Sequence, residues 1–529
     1  MGAYDVVVIG SGAGGLGAAV TLARAGKKVL VLEQHYLPGG WCHSFSLKGY
    51  QFSPGVHYIG ELEPGGLSCR IYQALGVLKE LQFCQLNPDG FDHIIVGGER
   101  FDYPAGQERL IERLEQRFPG DRAGIRSYHR LMSSITHELY QSQGYMKGWR
   151  KVLFPLVARN LLLHGFRRLQ PLLERTSRDD LLRTVLAAQC GNYGLPPSRS
   201  PVLLHAGVTA HYRNGAYYPR GGAHSIPEAL VARLEGDGGE LRLRTPVERI
   251  LVEGGRAVGV QLGDGDRIRA DRVVSNADPE MTLSRLVGPD HLSPKLRAKL
   301  RRTEYSASCA ILFLATNLDL RAMGYDSGNY IHYTRPDIDG IYARSRLTED
   351  PEGVFVTIPT LKDPSLRQDG IHTVEVITVA PYDPFRRWEQ LPHRKRGDDY
   401  LALKDDLTER ILRAAERVIP GLSQRLLFQE LGTPLTNKHF CACHRGAMYG
   451  TAKTRAQLGP AGFPIRTEIP GLYMVGASTM SHGVVGATMT GLMAAAEILG
   501  RPMRDLLAGT GDAPVIYPAD RPEEWVETV

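Results

Sequence analysis

The opening of the chain switches between two hydrophobic periods. Residues 6–9 are an unbroken apolar run, as expected of a parallel strand buried on both faces. A helix is predicted over 13–25, ended by Gly26, and a second strand over 28–32. Farther on, the pattern predicts a helix over 226–235 and a strand over 240–244. A meander follows, turning at 253–255 and 263–265 and closing on a buried strand at 272–275. Near the other end, 472–475 predict a short strand, Gly476 a turn, and Gly483 with Gly486 the start of a helix rich in small residues. Strand, helix and strand in this order indicate an α/β fold.

The glycines give the first unit its chemistry. Gly10, Gly12 and Gly15 form GxGxxG, with Ala13 and Gly14 completing the loop, between the first strand and the helix. The first glycine permits the tight turn, the second lets backbone approach a pyrophosphate, and the third allows close helix–strand packing. Helix N-terminal amides then face the phosphates. Glu33 ends the second strand, eighteen residues past Gly15, where an acid binds ribose hydroxyls. Gly39 and Gly40 make a second glycine turn of the kind that FAD enzymes of the amine-oxidase type carry beside the dinucleotide. Gly476, Val484 and Val485 lie where a helix N-terminus presents amides to the O2/N1 edge of a flavin. Val247, after the pair Thr245-Pro246, is the candidate for backbone pairing with adenine. The expected architecture is a discontinuous Rossmann-type FAD-binding domain from 1–75, 215–285 and 465–505. An α+β substrate-binding domain from 76–214 and 286–464 covers it, and 506–529 form a tail.

Bulk properties narrow the function. A chain of 529 residues exceeds one compact core, and 43% apolar with 23% charged residues is an ordinary globular composition. The net charge of +6 is modest, and no basic tract interleaved with aromatics points to nucleic acid. Seven scattered cysteines include no CxxC; Cys441 and Cys443 have no partner pair, so free thiols and no metal are expected. The N-terminus lacks a signal-peptide pattern, and no apolar run spans a bilayer, so a cytoplasmic location is expected. Residues 149–175 predict an amphipathic helix with basic and apolar faces, which serves either as a core helix or as a peripheral membrane contact.

Several stretches carry a wider likeness: VLEQHYLPGGWCHSF at 31–45, FSPGVHYIG at 52–60, GAYYPRGG at 215–222, VVSNAD at 273–278, NYIHY at 329–333 and TPLTNKHFCACHRGAMYG at 433–450. The chain resembles the phytoene desaturase, carotenoid isomerase and retinol saturase superfamily of flavoproteins, most of all its retinol saturase branch. The last stretch is the most telling, because it lies outside the dinucleotide unit. The resemblance implies noncovalent FAD, an apolar substrate tunnel, a lipophilic polyene substrate and membrane association. Trp41 and His444 depart from the family pattern. Reduction of a polyene needs hydride at one carbon and a proton at its neighbour. His57 and Tyr58 are the candidate acids, with Arg445 and His482 secondary. No second GxGxxG between strand and helix is present. NAD(P)H docking transiently, a partner, a quinone or the substrate itself must therefore exchange electrons with the flavin.

Overall fold

A strand with no polar face must be covered on both sides. The chain meets that demand with a seven-stranded sheet drawn from distant segments. The computed structural model describes residues 3–142, 152–368, 370–509 and 512–525. The strands are β1 (Tyr4–Ile9), β2 (Val29–Leu32), β3 (Glu240–Arg242), β4 (Val247–Glu253), β5 (Arg256–Leu262), β6 (Arg267–Ser275) and β7 (Leu472–Met474). Their order is β4-β5-β6-β1-β2-β3, with β7 also paired to β6. β1 runs parallel to β2 and β6, aligning Val8 with Val31 and Val274. The expected strand at 240–244 stops at Arg242; Arg244 takes φ 55° and donates its N–H to the His35 carbonyl.

On one face α1 (Ala13–Arg24) packs on this sheet with α2 (Ser225–Gly236) and α3 (Gly483–Leu499) against it, and on the other the helix Glu280–Val287 packs through Leu283 and Leu286. The small residues of α3 have a specific use. A Cβ on Gly491 would stand 2.2 Å from the Gly14 carbonyl oxygen, so α1 and α3 meet backbone to backbone. Packing this close sets the first turn of α1 against the middle of α3.

A second seven-stranded sheet uses Leu426–Gly432, Cys309–Thr316, His372–Val379, Gly353–Thr357, Asn329–Tyr333, Asp92–Val96 and Glu99–Tyr103, in that spatial order. It is antiparallel except between Asn329–Tyr333 and Asp92–Val96. Alternation sorts its faces. Leu312, Leu314, Val374 and Val376 pack with Leu407 and Ile411 of the helix Asp398–Glu416. Ile311 and Ile377 face a cavity instead.

The single amphipathic helix expected over 149–175 does not form. Trp149, Arg150 and Lys151 lie outside the described residues. Beyond them the chain makes three short pieces: Phe154–Val157, a π-type turn Leu161–Gly165 and Gln170–Thr176. Pro155 and Pro171 each sit in the first turn of a new piece, because proline lacks the N–H that would continue the old one. Ala158, Leu161, Leu169 and Leu173 join the core, whereas Leu156, Leu162 and Leu163 remain 76%, 45% and 48% exposed. Among the described residues, no helix is long and apolar enough to cross a membrane.

Candidate functional site

The cavity lies between the two sheets. One wall is largely backbone, from Gly12, Ala13, Gly14, Gly39, Gly40, Gly476, Gly483 and Val484. The close approach of these turns requires glycine: a Cβ on Gly15 would stand 2.1 Å from the Gly10 carbonyl, and one on Gly14 2.7 Å from the Gly476 nitrogen. Gly12 is the N-cap of α1 and offers no side chain to the first-turn amides. Asn276, just past β6, accepts the Gly15 N–H through Oδ1 at 3.1 Å. With Gly15 satisfied by Asn276, the Ala13 and Gly14 amides of this glycine cradle remain to fit a pyrophosphate, and His482 at the N-cap of α3 likewise makes no side-chain cap.

Other expected cofactor residues lie away from the lining. Glu33 is buried at the end of β2; its Oε2 accepts the Ser11 N–H at 2.8 Å and hydroxyl at 2.7 Å, and Oε1 accepts the His35 N–H at 2.9 Å. That places its carboxylate beside the glycine loop, with acceptor capacity to spare. Val247 opens β4 opposite Leu262 and is half-buried. The Val485 side chain turns into the core with Leu16 and Leu492, so Gly483 and Val484 form this edge of the cavity without it.

Part of the opposite wall is apolar, from Trp41, Ile311, Ile331, Tyr333, Phe355 and Ile377, and the lining also takes in the charged Arg344, Arg346, Glu349, Asp350 and Glu352. Among the described residues, His57 is the one imidazole in the lining. Its Nδ1 lies 3.2 Å from Oε2 of the fully buried Glu375. Tyr58 points elsewhere: its hydroxyl donates to Asp92 at 3.3 Å and accepts from Asn192 at 2.7 Å, and its ring stacks on Tyr212. Burial, helped by Asp92, pushes that phenol well above its ordinary range. Arg445 does not reach the cavity. It has φ 52°, pairs with Asp383 at the surface and lies over the Tyr382 ring. His482 hydrogen-bonds the Asn192 carbonyl at 3.2 Å, and burial, reinforced by Lys453, drives it down to about 4. It is therefore neutral near pH 7 and has no proton of that kind to donate. Cys42, Cys309, Cys441 and Cys443 also line the space as free thiols. Burial pushes Cys42 and Cys309 up to about 12, which removes their thiolate character near neutrality.

Over residues 13–499 the sequence matches the flavin containing amine oxidoreductases. The chain belongs to that family. It is 32% identical to all-trans-retinol 13,14-reductase of Danio rerio, across 94% of this chain and 86% of that one. It is 28% identical to the chloroplastic prolycopene isomerase of Arabidopsis thaliana, across 94% and 82%. Cyclohexylamine oxidase of Brevibacterium oxydans superposes with a TM-score of 0.59 over 94% of this chain and 99% of that one; at 17% identity it speaks for the fold alone. Membership of the amine oxidoreductases makes this a flavin-dependent oxidoreductase with FAD as its implied cofactor, related to retinol saturases and carotenoid isomerases.

In this amine oxidoreductase the pattern reading passed over the residues behind His57. Glu375, Lys362 and Asp92 are all fully buried, and each is ionisable. A signal was present. Glu375 is the only acid in the strand His372–Val379, and Lys362 ends the apolar-rich stretch 353–361. A lone charge in such a run is either an edge residue or a buried group with dedicated partners, and pattern alone does not separate the two.

Proposed function

We propose that this flavoprotein uses noncovalently held FAD to add or remove hydrogen across a carbon–carbon bond of a lipophilic polyene isoprenoid, with His57 handling the proton. The observation that carries the reading is the cavity itself: an apolar wall faces the glycine cradle, and a single imidazole enters between them. Gly10, Gly12, Ala13, Gly14 and Gly15 would hold the pyrophosphate, with Gly39 and Gly40 beside them. Glu33 would hold the ribose, the Val247 backbone the adenine, and the amides at Gly476, Val484 and Val485 the flavin edge. FAD, when bound, supplies hydride transfer to or from a substrate carbon. The chain supplies the rest. Trp41, Ile331, Phe355 and Ile377 exclude water and align an extended apolar chain. His57 gives a proton to the neighbouring carbon in saturation, or takes one in desaturation.

The prolycopene isomerase relative favours a second reading, a flavin-dependent cis–trans isomerase with no net electron transfer. One experiment separates the readings. The flavin is reduced chemically without oxygen, the enzyme is mixed with retinoids and carotenoids, and the product is weighed by mass spectrometry. Saturation adds two mass units and oxidises one flavin per product. Isomerisation changes neither mass nor flavin, and desaturation by oxidised enzyme removes two units. Failure of every polyene to alter the flavin spectrum would overturn the proposal. The exposed Leu156, Leu162 and Leu163 support peripheral docking on a membrane, where such a substrate resides.

A further inference from the structure

Three fully buried charged side chains stand behind His57. Glu375 accepts the Ser53 N–H at 2.7 Å through Oε1, and its buried Oε2 makes no hydrogen bond and faces His57 Nδ1 at 3.2 Å. Lys362 donates to the His57 carbonyl at 2.6 Å and to Asn329 Oδ1 at 2.5 Å. Asn329 passes the chain on, donating to Asp92 at 3.0 Å, and Asp92 also accepts from Gln189 at 3.0 Å. Phe355 is centred 5.5 Å from the ring, and the rings of Tyr58 and Tyr218 lie 5.8 and 5.5 Å from Lys362 Nζ.

The charges do not balance. With all three ionised, two carboxylates and one ammonium would leave a net negative charge among buried groups, and an uncompensated buried charge is costly enough to draw a proton. Two groups are placed to take it. Burial pushes Asp92 up to about 6, against the hydrogen bonds from Gln189 and Asn329. His57 touches the other carboxylate and alone among these groups opens into the cavity. Burial lowers Lys362 to about 7 against the pull of Glu375 and Asp92.

We propose that Glu375 is the positioning residue of the site: its carboxylate takes the Nδ1–H of His57, turns Nε2 to the cavity and holds the transferable proton there. This rests on the reading of His57 as proton donor. In a saturation the Nε2–H bond breaks as a C–H bond forms on the substrate carbon, and the ring is left neutral with its remaining hydrogen on Nδ1 against Glu375. The same geometry run backwards takes a proton in desaturation.

The test is Glu375→Gln in the full-length holoenzyme, which removes the charge and keeps the shape. Flavin content should be unchanged. The single-turnover rate should fall by about tenfold or more while the substrate-induced spectral change persists, because the ring loses the partner that fixes its orientation and tautomer. A second readout needs no turnover. With ring-15N histidine in oxidised holoenzyme, the His57 signal, assigned by its loss in His57→Gln, should report hydrogen held on Nδ1 in the parent protein and a mixture of tautomers in Glu375→Gln. If Glu375→Gln fails to fold, Glu375→Asp, which withdraws the charge by one methylene, should move both readouts in the same direction by less. If His57→Gln abolishes turnover while Glu375→Gln leaves both readouts in place, Glu375 has no such role and His57 keeps its own. Normal turnover by His57→Gln would overturn the His57 reading and this inference with it.

Discussion

Replacing Gly12 with valine puts the cofactor cradle to its most direct test. A Cβ at Gly12 would stand 2.5 Å from Asn276 Nδ2, and the same side chain caps the Gly15 N–H through Oδ1. Valine therefore displaces Asn276 and adds two further carbons beside the Ala13 and Gly14 amides. A charge-assisted hydrogen bond from each amide to the pyrophosphate is worth ~1.5–3 kcal/mol. Losing both costs about 3–6 kcal/mol, or ~10²–10⁴-fold in FAD affinity. Gly120→Ala is the control, since its Cβ would meet nothing within 4 Å. Both proteins are purified by gel filtration, their flavin-to-protein absorbance ratio is measured, and stripped protein is titrated with FAD by fluorescence quenching. Gly120→Ala should emerge yellow and Gly12→Val colourless, with matching far-UV circular dichroism. Full flavin occupancy and native affinity in Gly12→Val would refute this placement of the pyrophosphate.

Glu33→Ala should weaken FAD more mildly, by ~1.5–3 kcal/mol, in the same titration; an unchanged affinity would remove Glu33 from the ribose. Tyr58→Phe should keep most turnover and lower stability by roughly 1 kcal/mol in urea unfolding, since it loses only its bonds to Asp92 and Asn192. A collapse of turnover there would make Tyr58, not His57, the proton donor. Lys362→Met should destabilise the protein by about 3–5 kcal/mol, because Asp92 and Glu375 are left without a buried cation; unchanged urea unfolding would mean that the cluster is not ionised. Serine at Leu156, Leu162 and Leu163 should release the protein from anionic liposomes in flotation, at ~1.5–3 kcal/mol per leucine withdrawn from an apolar layer. Equal flotation of both proteins, or of neither, would end the membrane reading.

Much of the dinucleotide half is written in local pattern. The apolar run at 6–9, the helix over α1, the stop at Gly26 and the return at β2 are each set within a few residues, by burial on both faces and by backbone freedom at glycine. The small-residue helix α3 was legible for the same reason. The expected helix over 149–175 failed at Pro155 and Pro171, where an amphipathic spacing survives in sequence but the backbone cannot continue. Arg445 was singled out from its motif, and a motif does not say which way a side chain faces; a left-handed backbone and Asp383 turn it outward.

What the sequence determined by itself is therefore the fold class, the glycine cradle and the presence of His57 near it, since each depends on residues close together in the chain. Only the tertiary structure decided what stands behind His57. Glu375 is 318 positions away and Lys362 is 305. Each is a charge that apolar surroundings would reject unless the fold delivered a partner. Such pairings are made by sheet order and strand register, which are global properties of the chain.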